Sequence, residues 1–419
     1  MTPVEAALAD AHRTEWAFVL AATVRVAGDL DLAEECAQEA YVAALQTWGD
    51  RGVPASPGAW LTTTARRKAV DRLRRDATLR RKLPLLIEPE AVTETGEPES
   101  VPDDRLRLVF TCCHPSLSPE AQVALTLRLV CGVETAEIAR AFLVPEATMA
   151  ARITRAKKKI AAARIPYRVP AADELTERLD PVLTAVHLLF TSGHTAPTGE
   201  ELMRHDLVDR AIDLARTLVE LLPREPEARG LLGLLLLTDA RRATRVGADG
   251  RLRRLDEQDR SQWDQASITE GLRQTAEALT TGGAGRFTLQ AAIAGVHAAA
   301  PRSADTDWPR IVRLYDALLT VWDSPVVALN RAVAVAFAHG PQVALELVDG
   351  LATDERLASY PYLPSTRAHL LSELGRVDEA AAEYRAAAVL TGNAREREFL
   401  LAAARQETEI ALGAVGDVL

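Results

Sequence analysis

The chain has 419 residues, 48% hydrophobic and 26% charged, with a net charge of −10 at pH 7. That length predicts two to four domains, and the composition carries enough apolar mass for packed cores, which excludes a disordered chain. The greasiest stretch, Leu231 to Leu237, falls well short of the ~20 residues a membrane helix needs. The N-terminus mixes acids among its apolar residues and lacks a basic-then-apolar leader, so no export is expected. Four cysteines, Cys36, Cys112, Cys113 and Cys131, are too few for a disulfide framework. A soluble, cytoplasmic protein without membrane contact is the expectation.

Charge is distributed unevenly. Residues 1–165 hold 22 basic and 22 acidic side chains, so the whole net −10 falls in residues 166–419. Residues 66–82 carry nine basic against two acidic side chains, and residues 152–168 carry seven basic and none acidic. Such blocks are either nucleic-acid patches or solvated helix faces.

In chain order, residues 1–76 read as helices broken near Gly28-Asp29 and by the loop 49–58, with its two prolines and three glycines. Asp31 and Glu34 bracket a capping-box-like helix start, and Glu34, Glu35, Gln38 and Glu39 form an acidic face, suited to solvent or to a basic partner. Leu61, Ala65, Ala69 and Leu73 repeat every four residues as a buried stripe, while Arg67 and Arg74, seven apart, project almost together. Trp48, Trp60 and Tyr41 either stack on unpaired bases or pack in the core. Residues 77–102, with four prolines and five glutamates, read as a linker that extends to about 85 Å at full stretch.

Residues 103–168 form a second helical unit with the strongest local signal. Thr135 to Phe142 reads as a short helix, Leu143-Val144 as a turn, and Pro145 as the first residue of a longer helix. That helix places Met149, Ile153, Ala156, Ile160 and Ala163 on one apolar stripe and Arg152, Arg155 and Lys159 on another face. Helix, tight turn and basic helix make a helix-turn-helix, whose second helix enters the major groove; the bland alternative is a basic surface helix in a bundle. Arginine can bond guanine edges or phosphates bidentately, whereas Lys157 to Lys159 add point charge along a backbone.

Residues 169–419 are alanine- and leucine-rich and helical again. Gly375, Ala380, Tyr384 and Ala387 have the spacing of the second half of a tetratricopeptide unit, with weaker helix pairs at 206–241, 264–300 and 307–350. A generic helical array is the alternative. No strand-period stretch stands out, so the fold class is all-α.

Two helical units in this order resemble an extracytoplasmic-function (ECF) sigma factor. The first runs through Asp31-Leu32-Ala33-Glu34-Glu35-Cys36-Ala37-Gln38-Glu39 to Ala65-Arg66-Arg67 and Asp71-Arg72-Leu73-Arg74-Arg75. The second ends in Arg152-Ile153-Thr154-Arg155-Ala156-Lys157. The extension resembles the ECF group with a long tetratricopeptide-like C-terminal domain, through Asp259-Arg260-Ser261-Gln262-Trp263-Asp264 and Asn330-Arg331-Ala332-Val333-Ala334. The resemblance implies that Glu34, Glu35, Gln38 and Glu39 dock on RNA polymerase core. It places Arg66, Arg67, Arg72 and Arg74 at the −10 element of promoter DNA, with the 49–58 loop capturing a flipped base. It places Thr148, Ala151, Arg152, Arg155, Lys157 and Lys159 at the −35 element, with Ala150 departing from the basic residue often found at its position. The acidic linker would thread the polymerase's RNA-exit path.

Other clusters carry less. Cys112-Cys113-His114 lacks a second Cys/His pair for a metal and reads as buried apolar packing. His187, His194 and His205 are scattered. Asp256, Glu257, Asp259 and Asp264 with Arg251, Arg253, Arg254 and Arg260 read as an ion-paired face ahead of a magnesium or phosphate site. No catalytic residue, metal or cofactor is expected, and the chain reads as a non-enzyme. Two other functions fit the pattern: a one-component helix-turn-helix regulator with a ligand- or protein-sensing array, and a scaffold whose basic helices are incidental. A protein or peptide partner on the C-terminal array is expected under the sigma-factor reading.

Overall fold

A computed structural model describes residues 3–82, 104–142, 144–194, 198–199, 204–247, 252–282 and 284–416. Helices dominate it, as the sequence periodicity requires, and the chain divides into two compact units, 1–186 and 187–419.

In the first unit, α1 (Pro3–Ala27), α2 (Leu30–Arg51) and α3 (Pro57–Lys82) pack mutually. Leu20, Ala33, Ala37, Ala40, Trp48, Leu61, Ala65 and Ala69 fill the space between them. Alanines at most α2 contact positions let the helix axes approach closely. The cap of α2 is Asp29, not Asp31: its carboxylate accepts the Leu32 N–H at 2.8 Å. The expected stripe on α3 holds through Ala69, but Leu73 is 38% exposed. A four-residue step overshoots the 3.6-residue turn by about 40°, so three steps carry Leu73 roughly 120° off the buried line. Helix α3 also runs six residues into the stretch 77–102 that reads as linker; residues 83–103, with Pro84, Pro89, Pro98 and Pro102, lie outside the described residues.

The same unit continues with α4 (Asp104–Cys112), α5 (Pro119–Leu125), a π-helical turn (Thr126–Val130), α6 (Thr135–Phe142) and α7 (Glu146–Ala162). Ser118 caps α5 and Pro119 opens it, where a missing N–H costs nothing. Pro145 is the cap of α7 rather than its first residue, with extended ψ of 144°. Leu143 lies outside the described residues. Cys112 and Cys113 are fully buried, and the Cys113 thiol lies 3.3 Å from the Thr126 hydroxyl. Burial pushes the Cys113 thiol up to about 12, which fits the apolar role.

Helix α8 (Ala172–His194) leads into the second unit, where α9 (His205–Leu221) through α18 (Ala394–Gly416) follow. The intervening helices are α10 (Pro226–Asp239), α11 (Gln265–Thr281), α12 (Arg286–Ala299), α13 (Trp308–Val321), α14 (Pro325–His339), α15 (Pro341–Leu351), α16 (Tyr362–Glu373) and α17 (Val377–Leu390). Each of these packs on its neighbour in sequence. The expected small-residue contact is present: Ala380 and Ala387 are fully buried, and Gly375 makes the preceding turn at φ 74°. One departure from all-helix structure is a two-residue parallel pairing of Thr198-Gly199 with Gly392-Asn393. Among the described residues, no helix is long and apolar enough to cross a membrane.

Candidate functional site

Helix α7 separates its faces as its sequence dictates. Met149, Ile153, Ala156 and Ile160 are buried, whereas Thr148, Ala150, Ala151, Arg155, Lys158 and Lys159 are exposed. Ala163 is not part of the buried stripe: α7 ends at Ala162, and the C-cap residue Ala163 is exposed. Arg152 is half-buried, its guanidinium 5.7 Å from the centre of the Phe142 ring on α6. This cation–π contact joins the two helices of the helix-turn-helix. Arg155 Nε donates only within its own helix, to Ala151 O at 3.2 Å, and Lys159 Nζ donates to Ser116 O.

Lys157 points elsewhere. Only 8% of its side chain is exposed, and its ammonium sits 2.6 Å from Glu34 Oε2 and 2.7 Å from Asp31 Oδ1. Glu34, itself 9% exposed, also accepts from Arg128 Nη2 at 2.5 Å. Burial works against the Lys157 charge, but Glu34 and Asp31 outweigh it and raise its pKa. In this arrangement Lys157 does not share a surface with Arg155 and Lys159, and Glu34 does not belong to an exposed acidic face. The two form a buried ion-pair cluster joining α2, α7 and the π turn.

The rest of the acidic face is engaged with α3. Arg72 bonds both carboxylate oxygens of Glu35 at 2.9 and 3.0 Å and reaches Glu39 at 2.7 Å; Lys68 holds Glu39 at 3.0 Å. The hydrogen bond from Lys68 holds the Glu39 carboxyl below its usual range, and Glu35 raises Arg72. These pairs are open to solvent, where screening and side-chain entropy leave each of them weak. Gln38 and Arg67 are exposed; Arg66 is half-buried with an unpartnered Nε; Arg74 is exposed. Between α2 and α3, only residues 52–56 are non-helical within the 49–58 stretch, and Gly52 turns the chain at φ 79°.

Further contacts tie α1–α3 to α4–α7. The Trp16 indole donates to Leu129 O at 3.1 Å, at the end of the π turn where carbonyls lack helical donors. The Tyr167 hydroxyl shares its one proton between Ala21 O at 3.0 Å and Asp104 O at 3.2 Å. Gly132, at φ 67°, lies so close to α1 that an added Cβ would stand 2.8 Å from His12 and 2.9 Å from Trp16. Trp16, His12 and Tyr41 form one aromatic cluster, and Trp48 and Trp60 meet edge to face at 5.6 Å. Trp48 and Trp16 are buried core residues.

Sequence reasoning missed Arg128 and Asp31 as partners in the cluster. The available signal was a lone arginine in the apolar run Leu127-Arg128-Leu129-Val130.

In the second unit, the Asp259–Asp264 segment is a structural tie. Asp259 caps a short 3-10 turn and Asp264 caps α11. Arg260 is buried between them, donating to His297 O at 2.7 Å and Ala300 O at 2.8 Å, with its guanidinium 5.0 Å from the Trp263 ring centre. Arg254 pairs with Asp256 and Glu257; Arg251 lies outside the described residues. His187 and His194 pack on Phe287 and Phe190, while His205 is exposed.

Comparison with known proteins gives three family matches. Residues 15–78 match sigma-70 region 2, residues 107–160 match sigma-70 region 4, and residues 178–279 match a family of unknown function, DUF6596. An uncharacterised protein of Rhizobium meliloti (strain 1021) is 42% identical over 391 residues, 91% of each chain.

Proposed function

The chain belongs to the sigma-70 family and is a promoter-recognition factor for RNA polymerase; within that family we propose that it is an ECF-type sigma factor regulated by its own C-terminal helices. The observation that carries this reading is the helix-turn-helix face of α7, where Thr148, Ala151, Arg155 and Lys159 are exposed on the side opposite the buried stripe. That face is assigned to the −35 element, with Arg152 at its edge. Arg66, Arg67, Arg72 and Arg74 on α3 are assigned to the −10 element, and Glu34, Glu35, Gln38 and Glu39 on α2 to the polymerase core. The proposed domains are 1–76, a linker over 77–102 whose first six residues prolong α3, 103–168, and a tetratricopeptide-like array over 169–419. The protein works in the cytoplasm, without catalysis of its own.

The ion pairs give this reading a mechanism. Elements about 25 base pairs apart are separated by roughly 85 Å at 3.4 Å per pair, whereas Lys157 and Glu34 touch. The arrangement described here is therefore a closed form. In it, Glu34 and Lys157, assigned to polymerase and DNA, neutralise each other, as do Arg72 and Glu35. Polymerase engagement separates the two regions, and Lys157 is then free to meet a phosphate. The C-terminal array sets how readily that happens.

The test is transcription from a genomic promoter library by the purified protein with core polymerase, mapped by run-off sequencing. A shared two-part promoter among the initiated transcripts supports the reading. A footprint on free palindromic DNA without polymerase would instead identify a one-component regulator. Deletion of residues 170–419 changes promoter output if the array is regulatory; identical output removes that part of the proposal.

A further inference from the structure

The second unit contains a half-open cavity of about 490 Å³ that neither the promoter reading nor the helical packing uses. It lies among α10, the loop before α11, α12, α13 and α14. Leu234, Leu237, Ile293, Leu318 and Val327 give it apolar walls, and Trp263 adds an indole. Its size falls within the range of small-molecule sites, about 300–1,000 Å³.

Into this space project groups an apolar core would not hold. Arg241, half-buried just past the end of α10, lines the cavity, and its side chain has neither a hydrogen bond nor an ion pair among the described residues, though it also borders a smaller pocket lined by Tyr362 and Glu396. Burial lowers its pKa with no acid to offset the penalty, although a guanidinium there stays charged. The other arginines near it do have partners: Arg242 holds Asp239 and Asp209, and Arg254 holds Asp256. Asp256 borders an adjoining smaller space of about 200 Å³ that shares His297 and Tyr315 as lining. The Tyr315 ring, the Asn330 amide and the His297 imidazole line the same cavity. Neither Tyr315 nor Asn330 has a side-chain hydrogen-bond partner among the described residues. His297 Nδ1 is buried without one, and burial lowers His297 to about 4, which keeps the ring neutral at pH 7.

A half-buried cation with no carboxylate against it keeps part of its desolvation cost uncompensated. Retaining one beside unpaired neutral polar groups and apolar walls is the pattern of a ligand site. One guanidinium matches one carboxylate, which it binds bidentately; the walls match an apolar body. We propose that this cavity binds a small organic monoanion, a carboxylate on an apolar or aromatic body, with Arg241 clamping the carboxylate and Tyr315, Asn330 and His297 fixing its orientation. Trp263 and Leu255 of the pre-α11 segment and Asn330 of α14 all line the site. The two C-terminal motifs that stood out in the sequence thus meet at one ligand. The proposal does not depend on promoter recognition, since binding is measured on the full-length protein alone.

The probe is the aryl sulfonate 8-anilinonaphthalene-1-sulfonate, followed by fluorescence, with 2-naphthoate as competitor and uncharged 2-naphthamide as its control. Expected are one saturable site, displacement by naphthoate and not by naphthamide, and at least tenfold weaker binding in Arg241→Met. Arg241→Met melts no lower than the parent, because no ion pair is lost. Ala294→Phe, which fills the cavity from the α12 wall and keeps the cation, also weakens binding at least tenfold. Binding that is not saturable, that survives Arg241→Met, or that naphthamide displaces equally well overturns the proposal.

Discussion

Replacing Glu34 should cost more than replacing Lys157, although the two are paired with each other. Glu34 is the hub: its carboxylate faces Lys157 at 2.6 Å and Arg128 at 2.5 Å, and all three side chains are less than 20% exposed. In Glu34→Gln both cations lose their buried counter-charge. Lys157 retains only Asp31, which is 65% exposed, and Arg128 retains a backbone carbonyl, Val133 O at 3.2 Å. Removing one partner of a buried pair costs about 3–5 kcal/mol, and the residual Asp31 contact places this case near the lower end. In Lys157→Met, Glu34 keeps Arg128, and the thioether fills the lysine stem's volume, so the cost is about 0–1.5 kcal/mol. Because the cluster bridges α2, α7 and the π turn, the difference appears as opening. A loss of about 3 kcal/mol shifts the closed-to-open ratio roughly 150-fold. Double electron–electron resonance reads this directly, with labels at Thr63→Cys on α3 and Lys158→Cys on α7, both exposed sites. Cys131 is replaced by Ser; the other cysteines are buried. Glu34→Gln should populate long distances that Lys157→Met largely lacks. Equal behaviour of the two variants, or an unchanged distance distribution in Glu34→Gln, refutes the hub argument.

Three further expectations follow from the geometry. Arg155→Ala and Arg152→Ala should each cost about 1–3 kcal/mol of promoter binding and relax preference at the −35 element; uniform weakening across sequences, read by run-off competition, would make them backbone contacts. Gly132→Ala should destabilise the first unit by about 2–4 kcal/mol in urea melts, combining left-handed strain of about 1–2 kcal/mol with the collision against His12 and Trp16; an unchanged midpoint removes the close-approach argument. Burial lowers His187 and His297 to about 4 and His194 to about 2. Each therefore takes up a proton on unfolding once pH falls below about 6.5, so stability is full above that value and declines toward pH 4, by up to about 1.4 kcal/mol per pH unit for each ring. Equilibrium unfolding at pH 6.5 and 5 should differ by at least about 2 kcal/mol, and His297→Gln should flatten the slope.

Much of the molecule was legible because local rules decided it. The stripe Met149, Ile153, Ala156, Ile160 marked the buried face of α7, and the turn at Gly375 was readable from a glycine ahead of small-residue spacing. Helix ends were less so: Asp29 competes with Asp31 for the cap of α2, and only backbone geometry separates them. The direction of Lys157 was half-legible. It lies four residues after Ile153, about 40° around the helix and therefore on the apolar side, but its partners Asp31 and Glu34 are more than 120 residues away in sequence. No local pattern encodes a pairing of that kind. The lysine run drew attention as a block of charge, whereas the helix distributes its members between solvent and interior. Arg241 was invisible for the opposite reason: its significance is the absence of a neighbour, and a missing counter-charge has no sequence signature.

The Trp16 indole spans the contact between α1 and the π turn, buried to 3% exposure with its N–H held by Leu129 O. Separation of the two regions would transfer that ring from a dry, hydrogen-bonded seat into water. The protein thus carries an intrinsic optical gauge of its own conformation: emission should shift to the red as polymerase engages, and the shift should vanish in Trp16→Phe, with the remaining tryptophans as constant background.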